Sequence, residues 1–244
     1  MPQDCKVREA MGAKGGAFKR YRAMVHGDVS VWRVMRDELI QLWFGSIPGA
    51  LGFFLRSKFY PCMFRHCGRG VVFGRNLTFR HLCKISLGDG CIIDDSAMLD
   101  AKGQDNSGIT FGDRVYVGRQ SIVYCKNGDI TLGDRVNLSS NCVVFSSNKL
   151  TMKPGTMVGA FSYLLSGGSY DYRDATPFAD QSGMVTTGPL EIGEDCWIGA
   201  RVTVLDAASV GDRAVVGAGS VVNRPLPARH LCVGVPAKPV KPID

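Results

Sequence analysis

From residue 73 onward, aliphatic side chains return every six residues, in blocks separated by short slips. The last block is the most regular, with Ile192, Ile198, Val204, Val210, Val216 and Val222. Earlier blocks keep the step: Leu87, Ile93 and Leu99; Phe111, Val117 and Val123; Leu132, Leu138 and Val144; Met152, Val158 and Leu164. An amphipathic helix would space its apolar residues by three and four, and an antiparallel sandwich would alternate them by two, so a sustained six excludes both. What remains is a solenoid in which each block is about one turn and each turn has three flat faces.

A second position keeps the same phase, four residues after each aliphatic one. It holds Cys91, Ala97, Val115, Ser121, Val136, Cys142, Thr156, Ser162, Cys196, Val202, Ala208, Ala214 and Ser220, all small. The pattern predicts a large inward residue on each face and a small inward one near each corner. Glycine commonly follows the aliphatic residue, as at Gly88, Gly112, Gly159, Gly199 and Gly217, and suits corners that need unusual backbone angles. Cys91, Cys142 and Cys196 fall on the small inward beat, which makes them packing residues and not nucleophiles.

Thirty glycines against 9% aromatic residues fit many short strands and tight corners. Nine cysteines, an odd number, come with no CxxC pair and no secretory signal peptide, which predicts a reducing compartment without disulfides. Cys62, His66 and Cys67 lack the further ligands that a zinc site needs, so no metal is expected. The net charge of +7 points to anionic partners, and in the absence of any RNA- or DNA-binding signature nucleic acid is not among those expected.

The repeat resembles that of the hexapeptide-repeat acyltransferases over roughly residues 68–244. The narrower likeness, to bacterial acetyltransferases of exopolysaccharide and glycan synthesis, is carried by Asn76 to His81, Leu99 to Gly103, Cys125 to Gly128, Asp195 to Ala200 and Gly234 to Lys238. The resemblance implies an all-β solenoid, a left-handed parallel β-helix with an N-terminal helical segment and a loop ejected between coils. It further implies a homotrimer with sites between subunits, acetyl-CoA as the donor, and a sugar or glycan hydroxyl as the acceptor, lipid-linked in one version. The compartment expected is the cytoplasm, peripheral to the inner face of the membrane in one version. A sugar-nucleotide N-acyltransferase and a non-catalytic assembly or regulatory β-helix are the alternatives.

Between Leu164 and Ile192 the beat fails, and the loop expected at 166–189 contains Ser166 to Tyr172 and a polar stretch onward from Pro177. In the family this segment carries a histidine that takes the acceptor proton. Aligned through Phe161, Ser162, Tyr163 and Pro177, that position holds Ser169. A serine cannot serve alone as a base near neutral pH. Asp171, His81 and Asp100 are the substitutes to test, and Tyr170, Tyr172 and Asn141 are candidate acceptor contacts. For coenzyme A, the resemblance points to Trp197, Gly199, Ala200, Gly217, Ala218 and Lys238, where small residues let pantetheine approach the main chain.

The remaining piece, 1–67, reads as a basic tail followed by helices. Residues 1–36 carry eight Lys or Arg against three Asp or Glu. From Ser30, the residues Trp32, Met35, Leu39, Leu42 and Trp43 share one helical face, and Pro48 marks a second helix start. The stretch from Leu39 to Leu55 is free of charge but is too short and too interrupted by glycine and proline to span a bilayer. Two uses are open for 30–67: a cap on the first coil, or a hairpin lying on a membrane surface.

Overall fold

The computed structural model describes residues 16–181 and 184–243; of the basic tail, positions 1–15 lie outside them. Three parallel sheets run the length of the molecule. The first face has seven strands, from His66–Cys67 to Ser209–Val210; the second has nine; the third has seven, from Thr78–Arg80 to Val221–Val222. Successive coils stack in register, so that Phe79, Leu99, Val123, Val144, Leu164, Val204 and Val222 form one inward ladder. Val144 and Leu164 are 20 residues apart, but Leu164 and Val204 are 40 apart, which locates the ejected loop. The expected parallel β-helix with its helical start and single interruption is therefore the fold. Its first strand, His66–Cys67, already pairs with Ser86 and Leu87, two residues ahead of the boundary drawn at 68.

Both beats of the repeat point inward, and every residue of both is buried. Hydroxyls on the small beat are satisfied between coils: Ser162 Oγ donates to the Gly199 carbonyl at 3.0 Å and accepts from the Val202 amide at 3.2 Å. The corner glycines need a correction. Positive φ falls two residues later, on Gly90, Arg114, Phe161 and Arg201 among others, and not on the glycines that follow the aliphatic residues. Those glycines exist because the next coil passes too close: a Cβ on Gly88 would sit 2.4 Å from the Gly112 oxygen, and one on Gly199 would sit 2.6 Å from the Ala218 nitrogen.

The three outer surfaces differ. The first face presents Thr110, Thr131, Thr151, Glu191 and Ser209 in one row. The second presents Ile92, Tyr116, Asn137, Met157, Trp197 and Val215, and the third Met98, Ile122, Val143 and Tyr163. One side is thus built for water and two are largely apolar.

Three helices precede the coils: α1 (Ala17–Val25), α2 (Val31–Phe44) and α3 (Gly49–Phe59). Ser30 caps α2 by accepting from the Arg33 amide, and Pro48 is the N-cap of α3. A short turn at Tyr60–Met63 then drops Tyr60, Met63 and Phe64 onto Phe73 and Phe79, closing the open end of the first coil. No described helix is long and apolar enough to cross a membrane.

Candidate functional site

The sequence-predicted residues gather in three places. The first is the corner after the third-face strands of coils one and two. Coils repeat about every 20 residues, so Arg80 pairs with Asp100, and His81 follows at that corner with φ 54°. His81 Nδ1 lies 3.1 Å from Asp100 Oδ1, and Nε2 lies 3.4 Å from the Ala23 carbonyl of α1. The His81 amide donates to the Val25 carbonyl at 2.8 Å. Asp100 also accepts from the Lys102 amide at 3.0 Å. The ring, 4% exposed, edges a cavity of about 460 Å³ beneath α1 that is bordered by Lys19, Arg22 and Lys102. Lys84 borders it too, but its ammonium is committed to Gly103, Gln104 and Asn106.

The second place is the same corner four coils further on, where the chain leaves the solenoid after Ser166. Gly167 and Gly168 both take positive φ, and Gly168 crosses Phe145 so closely that a Cβ there would lie 3.0 Å from the ring. Ser169 bridges to Val185, whose amide donates to the Ser169 carbonyl at 2.7 Å. Asp171 Oδ1 accepts from the Arg173 amide at 2.9 Å, and the other carboxylate oxygen has no partner among the described residues. Tyr170 stands beside Phe178, while Arg173 covers the Tyr172 ring at 5.6 Å. Buried Gln181 staples the loop by accepting from the Asp171 amide and donating to the Asp171 and Thr176 carbonyls. On the return, Asp206 accepts from the amide and hydroxyl of Thr187. Sequence reasoning missed Gln181 and Asp206. Nothing flags a glutamine in a polar loop, but Asp206 precedes the corner residue Ala207, one coil after the loop begins.

The third place is the opposite corner, between the second and third faces, at the C-terminal end. Trp197 stands exposed on the second face; Gly199-Ala200 and Gly217-Ala218 form the corner on consecutive coils. Val233 packs against Gly217 and pairs with Lys238 across a terminal hairpin, His230–Gly234 with Ala237–Pro242, which sets Lys238 one strand away from that corner. Asn141 lies on that edge two coils before Gly199-Ala200, as a corner residue with φ 60°, across the third face from Tyr170 and Tyr172.

Within one chain, then, His81 meets Asp100, whereas Ser169 and Asp171 share only the loop, about four coils and roughly 19 Å away at the usual spacing between strands. The cysteines of the repeat are inert by position: burial raises the Cys91, Cys142 and Cys196 thiols above their ordinary range. Burial, with Cys91 nearby, pushes Cys67 up to about 12. Among the described residues no group of three or more His, Cys, Asp or Glu could hold a metal ion.

Residues 189–224 match the family described as bacterial transferase hexapeptide (six repeats). That match lies within the C-terminal coils, from the Leu190–Ile192 strand to just beyond the Val221–Val222 strand. A Staphylococcus aureus (strain COL) protein named as an acetyltransferase is 44% identical over 62 residues, 25% of this chain and 31% of its own length. WcaF of Escherichia coli (strain K12), named for acetyl transfer in colanic acid biosynthesis, is 34% identical over 93 residues, 38% of this chain and 47% of its own length. The chain thus matches between about a third and a half of the length of these relatives. Among solved structures, AntD, an N-acyltransferase from Bacillus cereus in complex with dTDP and 3-hydroxybutyryl-CoA, superposes with a TM-score of 0.52 at 18% identity. The superposition covers 79% of this chain and 90% of that one, and at this identity it is a likeness of fold.

Proposed function

We propose that the protein is an acetyl-CoA-dependent O-acetyltransferase whose acceptor is a hydroxyl of a sugar or glycan. The observation that carries this reading is the order of parts along the axis: the ejected loop leaves coil five, and the side-chain-poor corner of Gly199, Ala200, Gly217 and Ala218 occupies the next two coils. A thioester arm laid along that corner has main-chain amides and carbonyls of Gly199, Ala200 and Ala218 within reach, bordered by Trp197, Arg201 and Val233.

The two parts occupy opposite edges of the third face, so an assembly is required in which one subunit's loop meets the next subunit's corner. A homotrimer satisfies this. Its support is the pair of apolar outer surfaces, which a lone chain leaves in water. Within such a site, Asp171 is the proton acceptor. The acceptor oxygen attacks the thioester carbon, the C–S bond breaks, and the hydroxyl proton passes through the exposed carboxylate of Asp171 to the departing sulfur. Gln181 positions Asp171 by gripping its backbone on both sides. Tyr170 and Tyr172 supply flat surfaces of the kind that sugar rings stack on.

A second reading places the base at His81, oriented by Asp100, and the cavity beneath α1 favours it. The geometry weighs against it, since Nε2, the nitrogen that would take the proton, faces a carbonyl of α1.

The test is thiol release from acetyl-CoA with a panel of neutral sugars, aminosugars and oligosaccharides, followed by mass determination of the product. An ester on a hydroxyl sustains the proposal. An amide on an aminosugar would reassign the protein to N-acylation, and tight acetyl-CoA binding without product on any acceptor would make it a binding module.

A further inference from the structure

The helical hairpin before the coils is built inside out. On α2 and α3 the buried side chains include Asp37, 1% exposed, and Arg56, 4% exposed. Arg56 donates to the carbonyls of Phe73, Phe44 and Ile47, tying both helices to the first coil. Asp37 is held by Arg36 at 2.6 Å. The outward stripe is apolar instead: Trp32 is 79% exposed, Leu42 77% and Trp43 68%, and Leu51 and Phe54 continue it on α3. These positions follow helical spacing, so the stripe is a face and not a scatter. Capping the first coil does not require them; Tyr60, Met63 and Phe64 already do that.

We infer that this face lies in the surface of an anionic phospholipid bilayer. Three features select that occupant. The helices, 14 and 11 residues long, are too short to span but long enough to lie in the plane. Tryptophans stand near both ends of α2, the residue type that settles at the headgroup level. The charges beside the stripe leave a cation uppermost: Glu38 is engaged by Tyr21 and His26 and Arg36 by Asp37, while exposed Lys58 ends the stripe on α3, one turn beyond Phe54. A second protein surface would be served by the apolar residues alone, whereas a lysine at the end of the stripe matches lipid phosphates. The inference stands apart from the transfer reaction, because it concerns the opposite end of the molecule from the donor corner.

Vesicle flotation tests it with the full-length protein. Phosphatidylcholine vesicles containing about a third phosphatidylglycerol should carry the protein upward, and pure phosphatidylcholine should carry at least several-fold less. The triple variant Trp32→Ser, Leu42→Ser, Trp43→Ser should lose more than about tenfold in bound fraction, with an unchanged circular dichroism spectrum and an unchanged mass by light scattering. In a Trp197→Phe background, where the remaining tryptophans are Trp32 and Trp43, brominated lipid should quench the emission; this readout does not depend on how the triple variant folds. Absence of binding and of quenching would overturn the proposal. Equal binding to both vesicle types would overturn its anionic part, and a smaller mass for the triple variant would reassign the face to a contact between copies of this chain.

Discussion

The same corner of the solenoid is used twice, in opposite ways. At coils one and two, His81 and Asp100 are buried against each other and against α1, and each of their polar groups has a protein partner. At coil five, Asp171 is exposed, and one of its oxygens is left open among the described residues. Neighbouring carboxylates repeat the contrast: Asp89 and Asp95 of the second coil are matched to Arg69 and Arg75 of the first, whereas the loop's charges are spent mainly on its own turns. A solenoid repeats geometry without repeating environment. The fully satisfied corner secures structure, and the unsatisfied one is available for chemistry.

The largest expected effect separates the two corners directly. Asp171→Asn keeps the cap to the Arg173 amide but cannot hold a proton, so kcat/KM should fall about 100-fold, with Tm within about 2 °C of the parent because the site is exposed. Acetyl-transfer kinetics and a thermal melt read both quantities on the same protein. Retained activity in this variant would remove the loop carboxylate from the mechanism.

His81→Asn should do the converse. Asparagine tolerates positive φ but is too short to reach both Asp100 and Ala23, so the buried Asp100 carboxylate loses its histidine partner and keeps only the Lys102 amide and distant Arg80. The expected cost is about 2 kcal/mol, or roughly 4–8 °C in Tm for a chain this size, with kcat unchanged below the melt. A collapse of kcat at unchanged Tm would instead make His81 the base and reverse the comparison.

A gain of function sharpens it further. Ser169 precedes the open carboxylate by two residues and has no positive-φ constraint, so Ser169→His places an imidazole, with a pKa near neutrality, at the loop. The rate below pH 8 should rise about tenfold. An unchanged rate in this variant would indicate that the loop stands away from the acceptor.

How much of this was readable beforehand follows from the range of the forces involved. The inward ladders, the loop and the helix starts are local: a six-residue beat, its failure after Leu164 and a proline at position 48 each announce themselves. The His81–Asp100 contact was half readable, since a coil of 20 residues sets Arg80 opposite Asp100, but the covering by α1 was not. The reason for the corner glycines was misread because it lies one coil away, in backbone that the local sequence does not name. The outward direction of the Trp32–Trp43 stripe was equally hidden. An amphipathic pattern defines two sides of a helix, and only the carbonyls that Arg56 reaches decide which side faces in.

The smallest expected effect concerns acid. The Asp95 carboxyl is held below its ordinary range chiefly by the hydrogen bond from the Arg75 amide, which together with the Arg75 guanidinium outweighs the opposing desolvation. Asp89 is held down likewise by Arg69. A carboxylate with a depressed folded-state pKa adds stability above its unfolded value near 4, and that stability drains away as pH falls through the folded value. Tm should therefore be flat from pH 7 to about 5 with respect to these groups and decline below about pH 4. Asp95→Asn keeps an acceptor for the amide but loses the charge. It should lower Tm by about 2 °C at pH 7 and by less at pH 3, because half-exposed pairs are screened and carry little. Hydrogen exchange resolves where the loss falls: in acid, the coil-one and coil-two amides, from Gly68 to Asp95, should open before those of the C-terminal coils. Exchange that accelerates first at the donor corner would mean that the charge pairs of the first coils are ornamental, and that the cap alone secures that end.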